Sequence, residues 1–169
     1  MMKGKRVLLA AAVAAVALLV SACTITIRPS GVGSSDHPLN NIIEEFRPTI
    51  GSGATYRVGD NIEFRLVVRQ AGFITLSAMD PDGRIYTFAR NIPVERGVNF
   101  LPTPGQRVVF TAGPPRGLHF VRASFTSGRT DSSVTFTGRS GGGEWNSAIN
   151  LEIRNFPVRD VAETSLRIR

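Results

Sequence analysis

The sequence predicts an all-β domain, an immunoglobulin-like antiparallel β-sandwich, behind an N-terminal export segment and a short linker. Three observations carry that expectation. Apolar residues alternate with polar ones in short runs, the period of a strand with one buried face. Turn residues punctuate those runs about every ten positions, as in sandwiches. No stretch after the export segment sustains the 3.6-residue period of a helix.

The export segment comes first. Lys3, Lys5 and Arg6 give a positive start, Val7 to Val20 contain no polar residue, and Ser21, Ala22 and Cys23 follow. A basic start, a short apolar run and small residues before a cut site make a secretory signal peptide. The run is shorter than the roughly 20 apolar residues a membrane span needs. Val20-Ser21-Ala22-Cys23 resembles the bacterial lipobox. That resemblance implies cleavage before Cys23, a thioether diacylglycerol on its sulfur and acylation of the new amino terminus. Two or more acyl chains hold a protein stably on a membrane where one does not. Cys23 is the only cysteine, so no internal disulfide competes for it. Thr24 stands where an Asp retains many lipoproteins at the inner membrane, which by analogy favours the outer membrane. The expected organisation is residues 1–22 signal peptide, 23–38 lipidated tether and 39–169 sandwich.

Cleavage alters the charge. Losing Lys3, Lys5 and Arg6 leaves 17 of 20 basic residues against 13 acidic ones, so the net charge falls from +7 to +4. All 17 are arginines, spread along the chain without the dense cluster of a nucleic-acid patch. Export and this scatter exclude nucleic acid as the expected partner.

The elements follow in order. Thr24 to Pro38 is rich in Gly, Ser and Pro and reads as the tether. Leu39 to Ile50 is ambiguous between a helical turn and a first strand, and the strand is preferred. Ile62, Phe64, Leu66 and Val68 share one face of a strand; Gln70-Ala71-Gly72 makes a tight connection to Phe73–Met79. Asp80-Pro81-Asp82-Gly83 fits a type I turn leading into Arg84 to Phe88, so residues 62 to 88 are expected to form a three-stranded meander. Gln106 to Thr111 is a strand. Leu118 to Thr126 is a longer one, with His119, Val121, Ala123 and Phe125 on one face and Leu118, Phe120, Arg122 and Ser124 on the other. Ser132 to Thr137 is a short strand, Gly138 to Asn146 a flexible loop, and Ile149 to Ile153 and Ser165 to Ile168 are closing strands.

Several of these motifs occur together in one family. Tyr56-Arg57-Val58-Gly59-Asp60, Gly72-Phe73-Ile74-Thr75-Leu76, Asp80-Pro81-Asp82-Gly83 and Pro115-Arg116-Gly117 resemble the bacterial domain of unknown function 4384. The resemblance covers roughly residues 50 to 127. It implies a β-sandwich and, for many members, an envelope setting. It implies no reaction, because the family offers no catalytic residues to carry over.

The search for chemistry is mostly negative. His37 and His119 are too few for a zinc or copper site. Asp80-x-Asp82-Gly83 brings its Gly too early for a calcium loop, and position twelve is Asn91. Glu44 and Glu45 point to opposite faces of a strand. His119 is the one credible base for a nucleophilic triad, and no G-x-S-x-G elbow accompanies it. No P-loop or dinucleotide motif is present. No catalytic residue, metal or cofactor is therefore expected. Trp145, the only Trp, follows three glycines and is the candidate for ligand or partner contact, against the alternative that it folds back onto the core. The expected function is a non-enzymatic envelope lipoprotein whose sandwich binds or supports something at the membrane surface. An envelope protein, a surface-layer component or a glycan would be its partner. The alternative is a periplasmic hydrolase or enzyme inhibitor. A deep pocket pairing His119 with two or more acids would favour the enzyme.

Overall fold

A computed structural model describes residues 26–33, 37–105, 107–131 and 142–169. Cys23, the export segment and the expected strand Ser132 to Thr137 lie outside these residues. Ten strands and one helix follow one another along the described chain. They are β1 (Ile43–Pro48), β2 (Ala54–Tyr56), β3 (Asn61–Ile62), β4 (Phe64–Val68), β5 (Gly72–Met79), β6 (Ile85–Val94), β7 (Gly97–Leu101), β8 (Phe110–Thr111), β9 (Gly117–Thr126), α1 (Gly142–Ile153) and β10 (Arg159–Ile168).

The architecture is an all-β sandwich. One sheet has the order β2-β10-β9-β5-β6, the second β1-β4-β7, and a ribbon pairs β3 with β8. All pairings are antiparallel except β2 with β10. Ile74, Leu76, Ala78, Val121, Ala123 and Phe125 face the interior from the large sheet, where they meet Ile43, Phe46, Phe64 and Leu66 of the small one. The alternation seen in the sequence is thus the alternation of the core.

The expected meander is corrected. β4 pairs with β1 and β7, whereas β5 pairs with β6 and β9. The link at 69–71 carries the chain from one sheet to the other rather than turning a hairpin. The expected strand at Ile62 is also interrupted at Glu63, so its first residues join β8 instead. Gln106 of the expected strand Gln106 to Thr111 lies outside the described residues; of the described ones only Phe110–Thr111 pairs, and Arg107, Val108 and Val109 are exposed.

The largest correction lies near the C-terminus. From Gly142 to Ile153 the chain is helical, where a loop and a closing strand were expected. Trp145, Ile149, Glu152 and Ile153 are its buried residues, a spacing of four, three and one that puts them on one helical face. That face covers the outer side of the large sheet and builds a second core with Val32, Ile85 and Val161. Burying Ile149 and Ile153 stabilises the domain by about 1.5–3 kcal/mol each. Because both sides of the large sheet are covered, Arg122 and Ser124 of β9 are buried along with Val121 and Ala123.

Of the expected tether, the described residues 26–33 dock on the domain at several points. Ile27 bridges Glu163 on β10, Val32 is buried in the second core, and Arg28 forms an ion pair with Asp160. Asp160 is 0% exposed. Its carboxylate also accepts the backbone N–H of Ile43 at 2.7 Å and of Val161 at 2.9 Å, so it staples the N-terminal arm, β1 and β10 together.

Candidate binding groove

The family motifs have local physical causes. In the first, Gly59 has φ +96° and Asp60 accepts the Arg57 N–H at 2.7 Å, closing the turn into β3. In the second, Gly72 lies where a Cβ would come within 2.4 Å of the Phe125 ring and 2.7 Å of the Thr126 carbonyl oxygen. Strands β5 and β9 can approach there only without a side chain. In the third, Asp80 accepts the N–H groups of Asp82 and Arg84, each at 2.9 Å, and pairs with Arg84. Burial raises its pKa, but these hydrogen bonds and the Arg84 charge outweigh that and hold it low. Asp80 is thereby a turn cap. In the fourth, Gly117 packs on Pro81, 2.6 Å from where its Cβ would stand, so the third and fourth motifs touch.

Trp145 is corrected from a contact residue to a core residue. It sits in the first turns of α1 and is 0% exposed. Its Nε1–H donates to Ser77 Oγ at 2.9 Å, and the Arg122 guanidinium lies 3.8 Å from the ring centroid. Arg122 is held in turn by Glu163 at 2.8 Å and Asn146 at 2.7 Å. This is the fold-back alternative weighed for it.

The concave feature that remains is a cleft between the sheets, beside the β3–β8 ribbon. Its cavity is about 220 Å³, walled by residues including Phe64, Tyr86, Phe88, Phe110 and His119. Five rings run from the core to its rim. Phe46 stacks on Phe64 at 5.3 Å, Phe64 meets Phe110 at 6.3 Å, Phe110 takes Phe88 edge-on at 5.1 Å, and Phe88 meets Tyr86 at 6.2 Å. The rim is apolar and open: Tyr86 is 44% exposed, Val108 49% and Val109 60%. Burial and the nearby Asp80 push the Tyr86 hydroxyl up, so it is a neutral donor.

His119 is a polar group in this wall, beside the Thr111 and Tyr86 hydroxyls. Its Nε2 lies 2.8 Å from the Pro115 carbonyl oxygen. A carbonyl only accepts, so Nε2 carries a hydrogen. Among the described residues no Asp or Glu lines the cleft, and no three His, Cys, Asp or Glu side chains gather as a metal site would require. His37, the other histidine, lies far along the chain in a separate hollow with Arg154 and Arg159.

A second hollow, about 440 Å³, adjoins the cleft and shares Phe88, Val108 and Phe110 with it. It follows β6 from Phe88 to Pro93 and ends at Arg129. The two together form one groove along the outer strand of the large sheet. Nothing in the sequence pattern announced it, since its walls come from segments up to a hundred residues apart.

Comparison with known proteins agrees with the resemblance carried by the motifs. Residues 55–129 match the family described as Domain of unknown function (DUF4384). No curated protein and no solved structure matches the chain. The match runs from β2 to just past β9 and so includes the aromatic wall of the groove, but not β1, α1 or β10.

Proposed function

We propose that this chain, whose residues 55–129 are a DUF4384 domain, is a non-enzymatic lipoprotein of the bacterial cell envelope and that its β-sandwich is a binding module at the membrane surface. The observation that carries the reading is the position of the groove relative to the expected anchor. Ile27 pairs with β10 on the side away from β9, whereas the groove follows β6 at the opposite edge of the sheet. Four strand spacings separate them, about 19 Å. Thr24 and Ile25 alone stand between Cys23 and the packed arm, a reach of at most about 10 Å. A lipid on Cys23 would hold the β10 edge close to the membrane and leave the β6 edge facing outward.

Chemistry at the groove favours binding over turnover. A hydrolase site would set acids beside His119 to orient and charge it. The cleft wall instead offers aromatic and aliphatic side chains, which hold a ligand by burial. An envelope protein, a surface-layer component, a glycan or a smaller apolar molecule are the partners this setting allows. Replacing Cys23 by Ser tests the anchor: the protein should leave the membrane fraction or remain uncleaved. Unchanged membrane association with an unchanged, cleaved mass would refute it. Lipid-preserving crosslinking and pull-down tests the binding role, and recovery of no partner or ligand under gentle conditions would count against it.

A further inference from the structure

We infer that the groove along β6 takes a single aliphatic acyl chain with an anionic end, the chain in the aromatic cleft and the acid at Arg129. The inference rests on the binding-module reading and names the class of ligand. Three features of the groove converge on that class.

The first is the wall. A dry cavity of about 150 Å³ lined by apolar side chains suffices to hold benzene, and this cleft of about 220 Å³ takes a longer apolar group. Tyr86, Thr111 and His119 are its polar side chains, and the His119 Nε2 is already engaged by the Pro115 carbonyl, which leaves few partners for a glycan, whose hydroxyls would each need one inside the pocket. The second is the shape. From Phe88 to Ile92 the groove follows four residues of strand, about 13 Å, so it suits a linear ligand. The third is the charge. Arg129 lines the far end, 5.6 Å from the centre of the Phe73 ring, and meets no carboxylate within salt-bridge distance among the described residues. Arg107 next to Val108 is likewise without one, while Arg90 is engaged by Glu152 at 2.9 Å. A guanidinium at the end of an apolar groove is complementary to a carboxylate or phosphate on an apolar tail.

An extended peptide is the competing occupant, because β6 is an edge strand and edges accept added strands. This edge is poorly made for that. The β5–β6 register shifts between Ile74 and Ser77, Asn91 has φ +52°, and Pro93 has no N–H to offer. The Asn91 side chain is bound to the Thr130 backbone by two hydrogen bonds of 2.8 Å. Such irregularities block edge pairing, leaving side chains as the recognition surface.

Photo-crosslinking tests the inference on the full chain in lipid nanodiscs. The probes are dodecanoate bearing a diazirine near its tail and the matching dodecanol, with empty nanodiscs as the background. Dodecanoate should label peptides containing residues 86–93 and 108–110, saturably. Arg129→Gln should weaken dodecanoate labelling about tenfold, the range of a lost charge-assisted hydrogen bond, and leave dodecanol labelling unchanged. Val108→Asp, a change at an exposed site, should suppress both. Labelling elsewhere, non-saturable labelling, or equal dodecanoate labelling of wild type and Arg129→Gln would overturn it. So would competition by a peptide with a free C-terminal carboxylate in the absence of saturable acyl binding. If the acyl probes fail while pull-down recovers a partner, this inference falls and the binding-module reading stands.

Discussion

Replacing Trp145 by Phe removes one hydrogen bond and part of one ring from a site with no solvent. The indole N–H to Ser77 Oγ is lost. Ser77 is itself buried, so its hydroxyl loses its partner at a cost of about 1–3 kcal/mol. The smaller ring leaves unfilled space beside Ile149 and Ile153 and a weaker platform for Arg122, worth about 0.5–1 kcal/mol more. The expected loss is therefore about 1.5–4 kcal/mol, against a total of about 5–15 kcal/mol for a typical domain. Trp145→Ala should cost more, at least the roughly 3–5 kcal/mol of a large core truncation. Urea unfolding followed by far-ultraviolet circular dichroism measures this without relying on the missing fluorophore. Adding Ser77→Ala to Trp145→Phe should cost less than its effect in the wild type, because the stranded hydroxyl is removed. A loss below about 0.5 kcal/mol for Trp145→Phe, the range of surface substitutions, would refute the burial of this ring.

Three further expectations follow from the same geometry. Gly72→Ala should destabilise by about 1–3 kcal/mol through overpacking against Phe125 and the Thr126 carbonyl, whereas Gly59→Ala, with open space around it but φ +96°, should cost about 1–2 kcal/mol through its backbone alone; thermal melts of the two distinguish a clash, which a smaller residue at Phe125 would relieve in part, from a strain, which it would not relieve at all. Asp160→Ala strands the Ile43 and Val161 N–H groups and the Arg28 charge, at about 3–5 kcal/mol, and limited proteolysis should then cut within residues 26–33. For pH, burial raises the Glu45 carboxyl, but hydrogen bonds and charges from Arg65 and Arg47 outweigh it and hold it low. Glu45 and Asp80 thus add stability that is present above their ordinary values and is lost as pH falls through the lowered ones, below about pH 4. Glu152 runs the other way: burial raises it despite Arg90, so its contribution is full below its ordinary value and is lost as pH rises through the raised one. Urea midpoints across pH 3–7 should show a shallower acid loss in Glu45→Gln and a flatter limb above pH 5 in Glu152→Gln.

Much of the fold was legible because alternation and turn chemistry are local. The strands at Phe64, Phe73, Ile85 and Leu118 follow from which residues repeat at period two and where Gly, Pro and Asp interrupt them, whereas the one at Ile43, without clean alternation, could only be preferred over a helical turn. Sheet membership was not legible, because Gln70-Ala71-Gly72 can turn a hairpin or cross between sheets, and only the distant partners of β4 and β5 decide. The helix was hidden by its own start. Reading the glycines before Trp145 as a loop cut the Trp145, Ile149, Ile153 spacing in two, although that spacing of four was present. The groove was out of reach for a different reason: Phe64, Tyr86, Phe110 and His119 each look like ordinary core residues, and only folding brings their rings to one cleft. The arm at Ile27 and Arg28 looked like tether because its partners, Glu163 and Asp160, lie over a hundred residues away.

The central claim is that the β6 edge is the working surface of a membrane-held domain. A photo-crosslinking benzoylphenylalanine placed at Val109, on the rim of the groove, tests it in living cells. The control is the same residue at Val98, exposed on β7 in the other sheet. Intact mass of the protein recovered from membranes should show a discrete adduct at position 109 and none at position 98. No adduct at 109, or the same adduct from both positions, would contradict it.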